Sequence, residues 1–470
     1  MPPLSPTARE IFLLAVLLIC LLFFSATFPR NSGTVTDLIR PSSQAAEDLA
    51  DVLPATIENQ YTLQSLNQPL IWGLGQVPET EVVVHVPGWT IFDRLYVLNG
   101  TVYIVTDNPE SIPDRSLMTS TAVMIQNGPV AEAARIPTDK EMRIVSTDEA
   151  KRIFGTDAER LDGVTWLAND PKQFITHYYH WSAELWFGIW RTYSSLDPTI
   201  PPSGETMLPA PRRLIFPHID AANWRDYASM NQWVLRSSFP SISTEFMNDW
   251  KEREDMGRVF VFDRVVFADR AAAMHGENFL KTQRTAANAF ALPGSVNWWS
   301  TIRNNVVGFS GVKDHDGAVA AWGRRMLIQA HHERLVQELY NLRNTYGYEV
   351  NIVSMDKLSR IEQFQLAGRT TIMMGVHGNG LTALLWMRPT PRSTVMEFFF
   401  PEGFAHDYEY TTRALGMVHY GFWDDRYFTR PDVPPVNYPE GFQGDKIPIN
   451  GAVVARLCLE RLTLSEEADD

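Results

Sequence analysis

Thr370 to Val376 reads TTIMMGV, seven residues without a charge or a proline. A run this short and this apolar fits a strand covered on both faces, the kind that parallel sheets bury. Its surroundings fit the same sheet. His331–Tyr346 carries Leu335, Val336, Leu339 and Leu342 on one helical stripe, with Gly347 as a stop. Glu349–Ser354 reads as a strand, Met355–Ala367 as a helix ended by Gly368, and Leu381–Met387 as a short helix. Ser393–Phe399 and Met417–Phe422 read as strands around a helix at Phe404–Leu415, and Ile449–Leu462 as a terminal helix. Strands alternating with helices across short turns imply βαβ units and a doubly wound α/β sheet.

The upstream part is strand-rich from Glu81: EVVVHV, RLYVL and VYIVT. Gln173–Tyr193 is an aromatic-rich helix candidate, and the prolines of Pro198–Pro211 mark a loop. Strands return at Arg213 and Arg258, with a helix around Trp224–Val234. Asn99-Gly100-Thr101 is a glycosylation sequon placed where a hairpin turn is expected.

Ile11–Phe28 holds eighteen residues without a charge. That is near the ~20 residues a bilayer-spanning helix needs, and longer than the ~7–15 of a signal-peptide core. The expectation is a cytoplasmic tail at 1–10, an uncleaved signal anchor at 11–28 and a polar stem at 29–75. Two cysteines, Cys20 and Cys458, exclude a disulfide framework and a cysteine zinc site. With 41 Lys+Arg against 55 Asp+Glu, the net charge of −14 argues against nucleic acid as a partner.

Two constellations carry chemistry. Gly375-Val376-His377-Gly378-Asn379-Gly380-Leu381-Thr382 follows the apolar strand and opens a helix. Glycines let backbone approach a ligand, and a helix N-terminus offers N–H groups to phosphate. The pattern is neither G-x-G-x-x-G nor a P-loop. The plain alternative is a tight strand-to-helix turn. In His177-Tyr178-Tyr179-His180-Trp181-Ser182-Ala183-Glu184, a helix would align His177, His180 and Glu184 on one side. A carboxylate beside an imidazole positions a general base. Aromatic packing and a zinc site are the competing readings. Glu397, near a strand end, fits ribose hydroxyls. Arg264, Arg270, Arg303, Lys313, Arg324 and Arg325 are cations available to phosphates.

Taken together, Tyr178-Tyr179-His180-Trp181-x-x-Glu184, FDRVVFADR (Phe262–Arg270) and the Gly375–Thr382 turn resemble glycosyltransferase family 61. The resemblance covers roughly Glu81 to Phe422. It implies a GT-B fold, two Rossmann-like domains facing a cleft: an acceptor-side domain at 76–295, a nucleotide-sugar domain at 296–430, and a C-terminal segment at 431–470. It implies a type II membrane protein of the Golgi or endoplasmic reticulum that moves a sugar, N-acetylglucosamine or xylose, from a UDP-sugar to a glycan or glycoprotein, inverting the anomeric carbon without a metal cofactor. By position, His180 and Glu184 would act at the reaction centre. Gly375, His377, Gly378, Asn379, Gly380, Leu381 and Thr382 would grip the diphosphate, with Arg270, Arg303 and Arg325 beside it, and Glu397 would hold the ribose. One segment departs from the pattern. Phe309–Trp322 (FSGVKDHDGAVAAW) shows no strand ending in Ser-Arg before Arg324-Arg325. That departure keeps a second expectation open, an inactive glycan-binding protein of the same fold.

Overall fold

The β-branched and aromatic runs after Glu81 pair into one sheet, and the strands of the last third into another. The computed structural model describes residues 77–155, 158–312, 318–322, 327–444 and 446–465. The expected anchor at 11–28, the stem at 29–75, Lys313, Arg324 and Arg325 lie outside the described residues. Among the described residues no helix is long and apolar enough to cross a membrane.

The first sheet contains β1 (Glu81–Val86), β2 (Trp89–Leu98), β3 (Thr101–Val105), β4 (Met142–Val145), β5 (Glu159–Ala168), β6 (Arg213–Ile215), β7 (Ser243–Glu245) and β8 (Phe260–Ala268). Its order is β4-β3-β2-β8-β5-β6-β7, with β1 also paired to β2. Strands β8, β5, β6 and β7 run parallel, while β2 is antiparallel to β1, β3 and β8. Asn99 and Gly100 turn β2 into β3 with φ of 49° and 78°, the backbone that Asn-Gly supplies at least cost. Asn99 is exposed there. Asp93 and Arg264 face each other across β2 and β8 and form two bonds, of 2.6 and 2.7 Å. Arg264 is therefore a cross-strand tie.

The second sheet contains β9 (Ala318–Trp322), β10 (Glu349–Val353), β11 (Thr370–Val376), β12 (Thr394–Phe398), β13 (Val418–Trp423) and β14 (Arg426–Phe428). Its order is β10-β9-β11-β12-β13-β14, parallel except for β14. The expectation that 309–322 lacks a strand is corrected: β9 lies there, between β10 and β11. Ala318, Val319 and Ala320 are buried, so small side chains suit a strand packed on both faces. The strand order reverses between β9 and β11, and ligands of such sheets bind beyond the carboxyl ends at that point.

The terminal segment belongs to this half. Asn450 caps helix Gly451–Leu462 by accepting from Ala452 and Val453 amides. A Cβ on Gly451 would lie 2.6 Å from Leu335 Cα, so glycine permits the close crossing with helix Gln329–Tyr346.

Tryptophans join the halves. Trp166 on β5 meets Trp186 at 4.8 Å, Phe187 meets Trp298 at 4.6 Å, and Trp299 stacks on Trp386 at 6.1 Å. Trp190 donates to the Trp298 carbonyl, Trp299 to the Leu385 carbonyl and Trp386 to the Tyr178 hydroxyl. These rings belong to a single buried cluster that reaches both sheets. Trp299→Ala should cost about 3–5 kcal/mol, as large aromatic truncations do in cores. Chemical denaturation of the full chain checks it.

Candidate active site

The helix expected over Gln173–Tyr193 is broken. Lys172–Ile175 is one α-helical turn, His180–Trp186 is a π-helix, and Phe187–Tyr193 is α-helical again. π-Turns are rare and recur at functional sites. His177 precedes the wide turn instead of sharing a regular helical face, yet its ring lies 4.8 Å from that of His180.

Glu184 is the buried centre of this region. Its Oε2 lies 2.6 Å from His180 Nδ1 and 2.6 Å from Arg270 Nη1. Its Oε1 accepts from the Thr285 amide at 3.4 Å and faces Arg284 Nη1 at 3.8 Å. Burial pushes the Glu184 carboxyl upward, but Arg270, His180 and Arg284 hold it well below the usual carboxylate range. Arg270 also donates to Asp170 through Nε and its own backbone amide, and Arg284 donates to Asp407 at 2.6 Å. Burial disfavours the Arg284 charge, but Asp407 leads the groups that raise its pKa. Charges thus alternate along Asp170, Arg270, Glu184, Arg284 and Asp407. The His180 side chain keeps 27% of its surface exposed, against 4% for Glu184. With Nδ1 turned to a carboxylate, the proton sits on Nδ1 and Nε2 is left as the basic nitrogen.

The Gly-rich turn meets this helix directly. The Tyr179 amide donates to Asn379 Oδ1 at 3.0 Å, and the Tyr179 hydroxyl donates to the Asp407 carbonyl at 2.8 Å. After the turn, Asn379–Trp386 forms a 3₁₀ helix. A cavity of about 620 Å³ lies beyond the carboxyl ends of β10 and β11. Gly378, Asn379, Gly380 and Leu381 line one side, and Met355, Leu358, Arg360 and Gln363 another. Tyr178, Tyr227 and Met230 of the first half complete it. Its size is that of a small-molecule site.

Several expected ligand groups have other work. Arg270 is buried, and its side-chain nitrogens reach Asp170, Glu184 and the His180 carbonyl. It holds Glu184 and is not presented to a phosphate. Arg303 is buried and donates to the carbonyls of Trp386, Met387 and Gly368, tying helix Ser300–Phe309 to the second half. Glu397 has no exposed surface and accepts from His377 at 2.5 Å and His419 at 2.8 Å. It cannot reach a ribose without breaking both bonds. His377 itself packs against Phe399, Tyr408 and Phe442, and only its backbone neighbours line the cavity. Thr382 is buried and donates to Asn379 Oδ1, while Gly375 lies within β11. Asp170, Arg284, Asp407 and Arg360 went unnoticed in the sequence, and Tyr178 was read there only as part of the aromatic motif. Asp170, just past the end of β5, carried the one usable signal, an acidic residue at a strand's carboxyl end.

No protein-family model matches the chain, and no match to a curated protein is found.

A depressed folded-state pKa stabilises the fold above the unfolded value, and the gain disappears as pH falls. For Glu184 the unfolded reference is 4.5. Glu184→Gln should therefore melt below the wild type at neutral pH, with the gap shrinking steadily below pH of about 4.5. Melting curves of both proteins from neutral to acid pH check this.

Proposed function

We propose that the chain is an inverting glycosyltransferase that moves a sugar, N-acetylglucosamine or xylose, from a UDP-sugar to a glycan or glycoprotein. The observation that carries this reading is the bond from the Tyr179 amide to Asn379 Oδ1. It ties the backbone next to the His180–Glu184 dyad, whose side chains do not themselves line the cavity, to the glycine-rich turn that does. The resemblance to glycosyltransferase family 61 supports the same assignment of roles. The two parallel-rich sheets fit the GT-B arrangement expected of such an enzyme.

In this reading the donor lies in the cavity, with its diphosphate against the amides of Gly378–Gly380. His180 Nε2 takes the proton of the acceptor hydroxyl. The hydroxyl oxygen attacks the anomeric carbon from the face opposite the diphosphate, the bond to the diphosphate breaks, and configuration inverts. Glu184 remains a carboxylate, keeps Nδ1 protonated and stabilises the imidazolium as it forms, which is why Arg270 must hold Glu184 in place. Amides of the turn and the 3₁₀ helix start meet the charge gathering on the departing diphosphate. Family resemblance assigns no metal to the reaction. The apolar run at 11–28 supports a single-pass type II protein of the Golgi or endoplasmic-reticulum membrane with this chemistry on its lumenal side, and the Asn99 sequon fits that setting. The strand β9 supports an active enzyme over the inactive glycan-binding alternative, because the second sheet is complete at its centre.

Purified full-length protein incubated with a panel of UDP-sugars and glycan acceptors tests the reading. One donor should be consumed with transfer. No turnover of any UDP-sugar, together with no UDP binding, overturns it. His180→Ala should lower turnover about a hundred- to ten-thousandfold, the usual worth of a positioned base. Its melting temperature should stay close to wild type, since His180 is only partly buried. Glu184→Ala should lower turnover too, and should also destabilise the fold by about 3–5 kcal/mol by stranding buried Arg270.

A further inference from the structure

The start of the π-helix has two backbone groups without ordinary helical partners. The Ile175 carbonyl, which a regular helix would offer to the Tyr179 amide, instead accepts from Asn231 Nδ2 at 2.8 Å. The freed Tyr179 N–H turns outward and donates to Asn379 Oδ1 at 3.0 Å. Two asparagines, each opening a helix distant in sequence, thus satisfy the two halves of one broken helical bond.

The chemistry of this contact fixes the carboxamide. A backbone N–H can only donate, so the atom facing Tyr179 must be the oxygen of Asn379. The Thr382 hydroxyl, 3.2 Å from the same oxygen, donates to it as well. Asn379 Nδ2 therefore lies on the opposite branch of the amide plane. Among the described residues nothing accepts from Nδ2, although Asn379 is exposed and lines the cavity. One end of this side chain holds the residue immediately before His180. The other end is a donor pair left for whatever enters the cavity.

We propose that Asn379 is a positioning residue that couples occupancy of the cavity to the orientation of His180. The inference rests on the donor reading of the cavity given above. An anionic or carbonyl oxygen of the donor accepts from Nδ2 and fixes the amide plane. Oδ1 is then locked onto the Tyr179 amide, and the first turn of the π-helix, with His180 on it, is held in one setting. A bound donor thereby steadies the general base beyond what the bonds of the empty site already do. His180 remains the catalytic group, and Asn379 acts on it through the backbone.

Hydrogen exchange resolved at the Tyr179 amide, with and without saturating UDP, tests the coupling in the full-length protein. In the wild type, UDP should slow this exchange about tenfold, the worth of one strengthened hydrogen bond. In Asn379→Ala, exchange should be fast in both states, and turnover at saturating donor should drop about tenfold. Asn379→Asp keeps the acceptor oxygen and loses the donor pair. It should restore slow exchange without UDP but no longer respond to UDP, and turnover at saturating donor should return toward wild type while donor affinity stays weak. UDP binding with an unresponsive Tyr179 amide overturns the coupling alone, as does Asn379→Ala with wild-type turnover at saturation. Failure of the wild type to bind UDP overturns the donor reading beneath it.

Discussion

A carboxylate with almost no contact with water must be compensated on every side, and Glu184 obliges much of this structure to do so. Left unpaired, such a group would take up a proton or unfold its surroundings. Arg270 and Arg284 answer it, and each is itself a buried or largely buried cation in need of a second acid. Asp170 serves the first and Asp407 the second. Asp170 stands at the end of β5 in the first half, and Asp407 opens helix Asp407–Ala414 in the second. The demand of one buried charge is thus passed outward until it joins both halves of the molecule. His180 benefits from the same chain, because a carboxylate that cannot take a proton is a fixed acceptor for Nδ1.

The two motifs were legible because each has a local cause. A glycine-rich turn after an apolar strand needs no distant partner to be recognised, and neither does an imidazole four residues from a carboxylate. The parallel sheet was legible for the same reason, through TTIMMGV and its neighbours. What escaped was set by distance or direction. Ala318–Trp322 lacks the β-branched signature, yet burial between β10 and β11 makes it a strand. Arg270 and a phosphate-binding arginine look identical as letters, since the guanidinium matches carboxylate and phosphate equally. Only the fold reveals that Asp170 and Glu184 reach Arg270 first. Glu397 does stand near a strand end as read, but His419 on the neighbouring strand and His377 enclose it, and no spacing rule joins residues 377, 397 and 419.

The π-helix shows a local rule giving way to long-range contacts. Regular helical spacing would align His177, His180 and Glu184. The wide turn shifts that register, and the cost of the lost helical bond is met by Asn231 and Asn379. Neither asparagine is near Tyr179 in sequence. A turn that depends on two outside partners exists only once both of their helices are in place, so the geometry of the dyad is a product of tertiary assembly.

The tryptophan cluster governs how anything gets in or out. Domains that swing apart usually meet across thin, polar seams. Here the seam is made of buried aromatic rings in contact from β5 through Trp298 and Trp299 to Trp386. A clamshell opening would expose those rings to water, at a penalty comparable to unfolding. Traffic through the cavity therefore falls to its outer lip, where Tyr227 projects almost wholly into solvent. With the halves fastened along such a seam, a guest comes and goes without their parting.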